Sequence, residues 1–230
     1  KRIIIIDNQS KTKNDYLKSI CDYKYFNNYK EYHASRKRVS VIKADTKNYK
    51  FSNHITKNID VVIHLAAESG VDLNIANPKK SFDTNILGTF NYLESSRDNG
   101  VKNFIFSSSG SVFGDAVPPM SEETLKKPIS TYGSSKLTIE SFCETYSRIF
   151  KLKTTVLRFS NAYGPFSLHK KSIIANFANN ILNNKPIIIY GDGEHTRDYI
   201  HVSDIVKAIY NSLNQKDSFQ NFNISTGKQT

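Results

Sequence analysis

The chain has 230 residues, 38% of them hydrophobic, enough for one substantial core or one and a half domains. Its net charge of +11 is spread along the chain, and the densest run, Arg36-Lys37-Arg38, lacks the interleaved aromatics that stack bases, so a solvated surface is expected rather than a nucleic-acid site. No apolar run approaches a membrane span, Lys1 leads straight into a strand without a signal peptide, and Cys21 and Cys143 alone suggest neither a disulfide framework nor a metal cluster; a cytoplasmic protein with no membrane partner is expected.

Residues 3–6 are a continuous apolar run closed by Asp7, the pattern of a strand buried on both faces of a parallel sheet. A helix is expected over 14–20, irregular structure over the polar, tyrosine-rich 21–38, and the next strand over 39–43. Residues 60–65 read as another buried strand, with small Ala66 and Ala67 at its exit. Asn77-Pro78 supplies a cap and a first-turn proline for a helix. Phe82, Ile86, Phe90 and Leu93 mark one apolar face of it as far as Asp98, before Asn99-Gly100 stops it. Residues 103–107 form a strand. A long helix over 129–150 comes next, with Leu137, Ile139, Phe142, Cys143, Tyr146 and Ile149 giving a wide apolar surface. Strands at 154–158, 187–190 and 222–224 and helices at 172–183 and 203–213, the last capped by Ser203, complete the chain.

Chemistry concentrates in residues 106–136, FSSSGSVFGDAVPPMSEETLKKPISTYGSSK. Three hydroxyls close a strand, and Tyr132 and Lys136 come four apart on a helix, where they share one face. Lowering a phenol from about 10 to about 7 takes roughly 4 kcal/mol. A cation some 4 Å away at an effective dielectric near 20 supplies on the order of 4 kcal/mol. Lys136 therefore suffices in principle to make Tyr132 a proton acceptor, with Ser109 hydrogen-bonded to the same reacting hydroxyl. Taken alone, Y-x-x-x-K also describes an ordinary surface pair.

Its context decides. HLAAES at 64–69, Asn85 in DTNILGT, SSSGSVFG, YGSSK, RFSNAYGP at 158–165 and GDGEHTRDYIHVSD at 191–204 occur in the order found in the extended short-chain dehydrogenase/reductase family, in its nucleotide-sugar epimerase and dehydratase branch. The chain resembles that branch over essentially its whole length. The resemblance implies an α/β fold, a Rossmann-like doubly wound parallel sheet, with a dinucleotide-binding domain over 1–160, part of a small substrate lobe over 161–199, and a returning helix and last strand over 200–230.

The same resemblance implies NAD as cofactor and assigns its contacts. Asp7, with Asn8, would meet the adenosine ribose, where an acid disfavours a ribose phosphate and so favours NAD over NADP. A turn or cap role is the plain alternative for Asp7. Asp45 and Thr46 would stand beside adenine, and Leu65, Ala66 and Ala67 along the ribose and nicotinamide, with Ser107, Tyr132 and Lys136 completing the cofactor contacts. Asn85 is counted among the cofactor contacts and would support the site's architecture, or else be a satisfied core amide. Ser109, Tyr132 and Lys136 are the implied catalytic set. Ser109, Ser111, Asn161 and Arg197 are the implied contacts to a UDP-sugar; a guanidinium at 197 suits a diphosphate, although a salt bridge to Asp198 or Glu194 is the alternative. His64 receives no part in proton transfer. Homodimerisation through helices 78–98 and 130–150 is also implied.

Dinucleotide-binding folds open with a strand and a glycine-rich turn about twenty residues before the acid, whereas here the acid is residue 7 and no glycine precedes Gly70. The expectation is therefore a fragment lacking the first strand, the phosphate loop and most of the substrate lobe. After the strand serine, sugar dehydratases of this family place an Asp-Glu pair and decarboxylases a Glu at the second position; Gly110 and Ser111 stand here and do neither job. A UDP-sugar 4-epimerase that oxidises its substrate to a 4-keto sugar and returns the hydride is the leading expectation. A nucleotide-sugar reductase or dehydratase of the same family, or a non-catalytic NAD-binding protein, are the alternatives.

Overall fold

The computed structural model describes residues 2–10, 15–27, 29–32, 38–168, 170, 172–189 and 191–230. Asn14 of the first expected helix, Arg36 and Lys37 of the basic run, Lys1, and Tyr190 of the expected strand at 187–190 lie outside them.

Nine strands make three parallel sheets among the described residues. In the first, β1 (Ile3–Asp7) pairs with β3 (Val39–Lys43), placing Asp7 beside Lys43, and β2 (Lys24–Phe26) lies along the other edge of β3. The segment expected to be irregular thus holds β2 and a short helix. Three residues are too few to carry a periodic signal, and pairing with Ser40 to Ile42 makes them a strand. The second sheet runs in the order β4 (Val61–His64), β5 (Asn103–Ser109), β6 (Lys153–Phe159), β9 (Phe219–Ile224). In the third, β7 (Asn161–Tyr163) pairs with β8 (Tyr199–His201).

The two larger sheets share one core, in which Phe26 and Ile42 meet Phe51, Tyr92, Leu93, Phe104, Phe106, Ile139 and Val156. β1 and β4 are end strands of their sheets, which corrects the expectation that both are buried on two faces: Ile3 is 52% and Ile63 42% exposed. The central strands do match the pattern expected of buried parallel strands, β5 above all.

Nine α-helices, one π turn and one 3-10 turn, the last at Gly110–Phe113, lie between these strands among the described residues. The first five are α1 (Asp15–Lys18), α2 (Tyr29–Tyr32), α3 (Tyr49–Ile55), α4 (Val71–Ala76) and α5 (Pro78–Ser81). A π turn at Phe82–Leu87 then leads without a break into α6 (Gly88–Asp98). Asn77 caps this composite helix through the Lys80 amide. The wide turn holds an extra residue, which rotates the residues on its N-terminal side out of phase with those on its C-terminal side; Phe82, expected on the apolar face, is therefore exposed while Leu93 is buried. α3 packs on α6 where Ser52 and Ser95, both fully buried, share a hydrogen bond at 3.0 Å.

α7 (Thr131–Phe150) covers β5 and β6, and α8 (Ile173–Leu182) and α9 (Val202–Ser212) complete the set. α9 begins one residue before the expected Ser203, because the His201 side chain accepts from the Ser203 amide and is itself the cap. Residues 187–189 do not form the expected strand; they are exposed and unpaired in any sheet, so their apolar side chains have no layer to pack against.

Candidate active site

The site is built where the carboxyl end of β5 meets the first three turns of α7. β5 is apolar and wholly buried up to Phe106 and then presents Ser107, Ser108 and Ser109. Ser109 leaves the strand in extended conformation and caps a tight turn, its Oγ accepting from the Ser111 amide at 3.2 Å and lying 3.0 Å from Ser111 Oγ. The chain then returns to α7, whose first turn is capped by Ser130 through the Gly133 amide. A glycine is required at 133 because a Cβ there would collide with the Ser111 carbonyl oxygen. That close approach brings Tyr132 within hydrogen-bonding reach of Ser109.

Lys136 lies one turn later and is buried. Its ammonium donates to the Ser107 carbonyl at 2.7 Å and stands 4.9 Å from the centre of the Phe106 ring and 5.7 Å from that of Tyr132. Burial pulls this amine down to about 8, against the charge of Glu140. Burial likewise pushes the Tyr132 phenol above its usual value, and the Ser109 hydrogen bond offsets this only in part. This corrects the expectation that Lys136 alone brings the phenol towards neutrality. The ammonium is engaged by a backbone carbonyl, and the cost of burying a phenolate exceeds what the neighbouring dipoles return.

Asn85 lies at the heart of the π turn and is almost wholly buried. Its Oδ1 accepts from the Glu68 amide at 2.7 Å, while Nδ2 donates to the Glu68 carbonyl at 3.1 Å and to Ser135 Oγ at 3.2 Å. It ties the exit of β4 to α7 and has no polar atom left for a ligand. His64 is buried, hydrogen-bonded to Thr89 at 3.1 Å, and pulled to about 3 by burial and then by the charge of Lys136, so it is neutral at physiological pH.

The remaining expected residues gather at the carboxyl ends of their strands. Asp7 and Asn8 close β1, and the Asp7 carbonyl accepts from the Ala44 amide at 3.3 Å, next to Asp45 and Thr46 after β3. The Asn91 side chain holds the Thr46 carbonyl at 3.1 Å. Leu65, Ala66 and Ala67 come directly after β4. Asn161 on β7 and Arg197 just before β8 are brought together by Asp198: its carbonyl accepts both the amide (3.1 Å) and the side chain (3.2 Å) of Asn161. The Asp198 carboxylate takes the Thr226 and Gly227 amides instead of pairing with Arg197, whose exposed guanidinium donates to the Thr196 carbonyl.

Strand-end serines, a helical Tyr-Lys pair and an amide-bearing π turn form one arrangement, and over residues 3–225 the chain matches the model of the NAD dependent epimerase/dehydratase family. The chain belongs to this family. Among its relatives it is 36% identical over 198 residues to a putative UDP-glucose 4-epimerase of Methanocaldococcus jannaschii, covering 84% of this chain and 64% of that protein. It is 34% identical over 182 residues to a dTDP-D-glucose 4,6-dehydratase of Dictyostelium discoideum, covering 74% and 42%. The crystal structure of a UDP-glucose 4-epimerase from Thermotoga maritima with UDP-glucose superposes with a TM-score of 0.86 at 31% identity, covering all of this chain and 70% of that one. The chain thus spans about two fifths to two thirds of the length of these curated relatives, and its fold is the Rossmann-like α/β fold of the epimerase/dehydratase family.

Sequence reasoning passed over three polar residues next to the candidate site: Ser108, Glu140 and Arg158. All are buried, and they form one cluster beneath Lys136. The available signal was a single arginine near the end of the TTVLRF strand, with a glutamate four residues after the lysine.

Proposed function

We propose that the protein is an NAD-dependent nucleotide-sugar epimerase, a UDP-sugar 4-epimerase working through a 4-keto sugar, and that it acts as a homodimer. The observation that carries this reading is the Ser109-Tyr132-Lys136 set with Gly110 and Ser111 after the serine, two positions that carry no carboxylate to drive elimination of water or loss of carbon dioxide.

The donor set suits NAD. Asp7 and Asn8 offer a carboxylate and an amide to a ribose and Asp45 and Thr46 suit adenine; Leu65, Ala66 and Ala67 leave room for close approach, and Ser107, Tyr132 and Lys136 suit the nicotinamide ribose. When bound, NAD supplies reversible hydride acceptance. The chain's own part is proton handling. In its phenolate form, which the positive charge of Lys136 favours, Tyr132 takes the proton of the sugar 4-hydroxyl, and Ser109 donates to the same oxygen as carbonyl character develops. Asn161 and Arg197 would hold the UDP portion, the guanidinium by its paired donors on the diphosphate. The dimer reading is supported by Phe142, Ile149 and Phe150, all exposed along α7, and by Phe82 at the start of the composite helix.

The test is to incubate the protein with UDP-glucose, UDP-N-acetylglucosamine or UDP-glucuronate and catalytic NAD, and to track the sugar by NMR. The 4-epimer, formed without net change in NADH and lost in Tyr132→Phe, is the expected result. Stoichiometric NADH consumption would make it a reductase, and a 4-keto-6-deoxy product a dehydratase.

A further inference from the structure

Below the reacting pair lies a buried ion pair for which the reaction described so far has no use. Glu140 is one turn beyond Lys136 on α7, on the same face. Its carboxylate accepts the Ser108 hydroxyl at 2.5 Å, Arg158 Nε at 3.0 and 3.2 Å, and a terminal guanidinium nitrogen at 2.8 Å. Both charged side chains are at most 5% exposed. Arg158 sits on β6 with its guanidinium 5.4 Å from the Phe113 ring centre, and its remaining nitrogen reaches the Glu122 carbonyl at 3.5 Å. A buried pair of this kind is seldom the most stable way to fill the space, since apolar residues of equal volume often do as well or better. Its placement suggests what it does instead. Consecutive serines of β5 face successive turns of α7: the Ser107 carbonyl accepts from Lys136, the Ser108 hydroxyl donates to Glu140, and Ser109 faces Tyr132.

We propose that Glu140 is a positioning residue for the reacting pair: clamped by Ser108 and Arg158, it fixes α7 against β5 and balances the Arg158 charge so that Lys136 keeps its ammonium in a buried site. This rests on the reading of Tyr132 and Lys136 as the proton-handling pair. The groups that face Lys136 are Tyr132 and Glu140 on its own helix, His64 on β4 and, through Glu140, Arg158 on β6. His64 is neutral and Tyr132 protonated, so Glu140 is the one anion among these groups.

The balance predicts shifts of opposite sign. In Glu140→Gln the guanidinium is left uncompensated and Lys136 should lose proton affinity by tenfold or more. In Arg158→Met the carboxylate is left uncompensated and the affinity should rise. In the double variant Glu140→Gln/Arg158→Met it should return to within about threefold of the parent, because both charges are gone. The readout is the titration of the Lys136 side-chain signal by NMR in lysine-labelled protein, assigned with Lys136→Met, which needs no turnover. Either single variant that folds is enough, with the double variant as its reference. An unmoved Lys136 titration, or shifts of the same sign in both single variants, overturns the proposal. Opposite shifts in a protein that converts no UDP-sugar would sink the epimerase reading and leave this one standing.

Discussion

The Lys136 ammonium is bonded to the Ser107 carbonyl at 2.7 Å, so the buried cation is held by strand backbone and not by the phenol one turn away. Burial gives this amine a pH signature. Its folded value of about 8 lies below the 10.5 of a solvated lysine, so between the two the unfolded chain binds more protons and stability rises with pH. The contribution is complete above the unfolded value and is lost as pH falls through the folded one, about 3 kcal/mol in all. Urea unfolding at pH 7.5 and 10 should show that rise in the parent protein and a flatter response in Lys136→Met. Equal slopes would mean that the ammonium is not buried as described.

Gly133→Ala should uncouple α7 from the turn after Ser109. The added methyl meets the Ser111 carbonyl, which is backbone and cannot swing aside, so the first helical turn must move. A loss of about 1 to 3 kcal/mol in stability is expected from such overpacking. A fall of about a hundredfold or more in turnover is expected from the displaced Tyr132. Thermal unfolding and initial rates measure the two. Full activity would show that the close approach is dispensable.

Asn85→Ala should be destabilising. It strips partners from the Glu68 amide and carbonyl and from Ser135 at once. The Glu68 carbonyl keeps the Asn74 amide and Ser135 keeps the Tyr132 carbonyl, so the Glu68 amide is the group left unpaired, and a destabilisation of about 1 to 3 kcal/mol is expected in denaturant melts. Asn85→Asp should be nearly as damaging, since a carboxylate cannot donate to the Glu68 carbonyl. Hydrogen exchange at the Glu68 amide gives a local check: the Asn85→Ala variant should lose protection there before the global transition.

Phe142→Glu and Phe150→Glu place charge on the exposed aromatic face of α7. If that face is the dimer contact, sedimentation should show a monomer at concentrations where the parent is dimeric, with the far-ultraviolet CD unchanged. A parent that sediments as a monomer would remove the homodimer from the proposed function.

Much of this was legible because it depends on spacing. Tyr132 and Lys136 four apart, a serine closing an apolar strand, and Asn77-Pro78 opening a helix are local patterns, and each element lies where its pattern puts it. What escaped depends on partners distant in sequence. Lys24–Phe26 becomes a strand only against β3, and Glu140 reads as an ordinary polar residue of an amphipathic helix until Arg158 is brought across from β6. The π turn leaves no mark in composition, so the apolar stripe drawn through Phe82 was carried across a phase change. The pairing of Lys136 with a carbonyl was equally invisible, and so was the burial that raises the Tyr132 phenol in place of the expected lowering.

The run of three serines facing α7 also makes the site a gauge of strand alignment. Neighbouring residues of a strand face opposite ways, so sliding β5 by one position would trade Ser108 for Ser109. The reacting hydroxyl would then turn into the ion-pair pocket, and nothing would stand opposite Tyr132. A chain misaligned by that single step would keep its helices, with the β5 side chains exchanged between the two faces of the sheet, while being chemically silent. Recovered turnover after refolding therefore counts correctly threaded molecules, where a spectroscopic signal for helix and sheet counts both kinds.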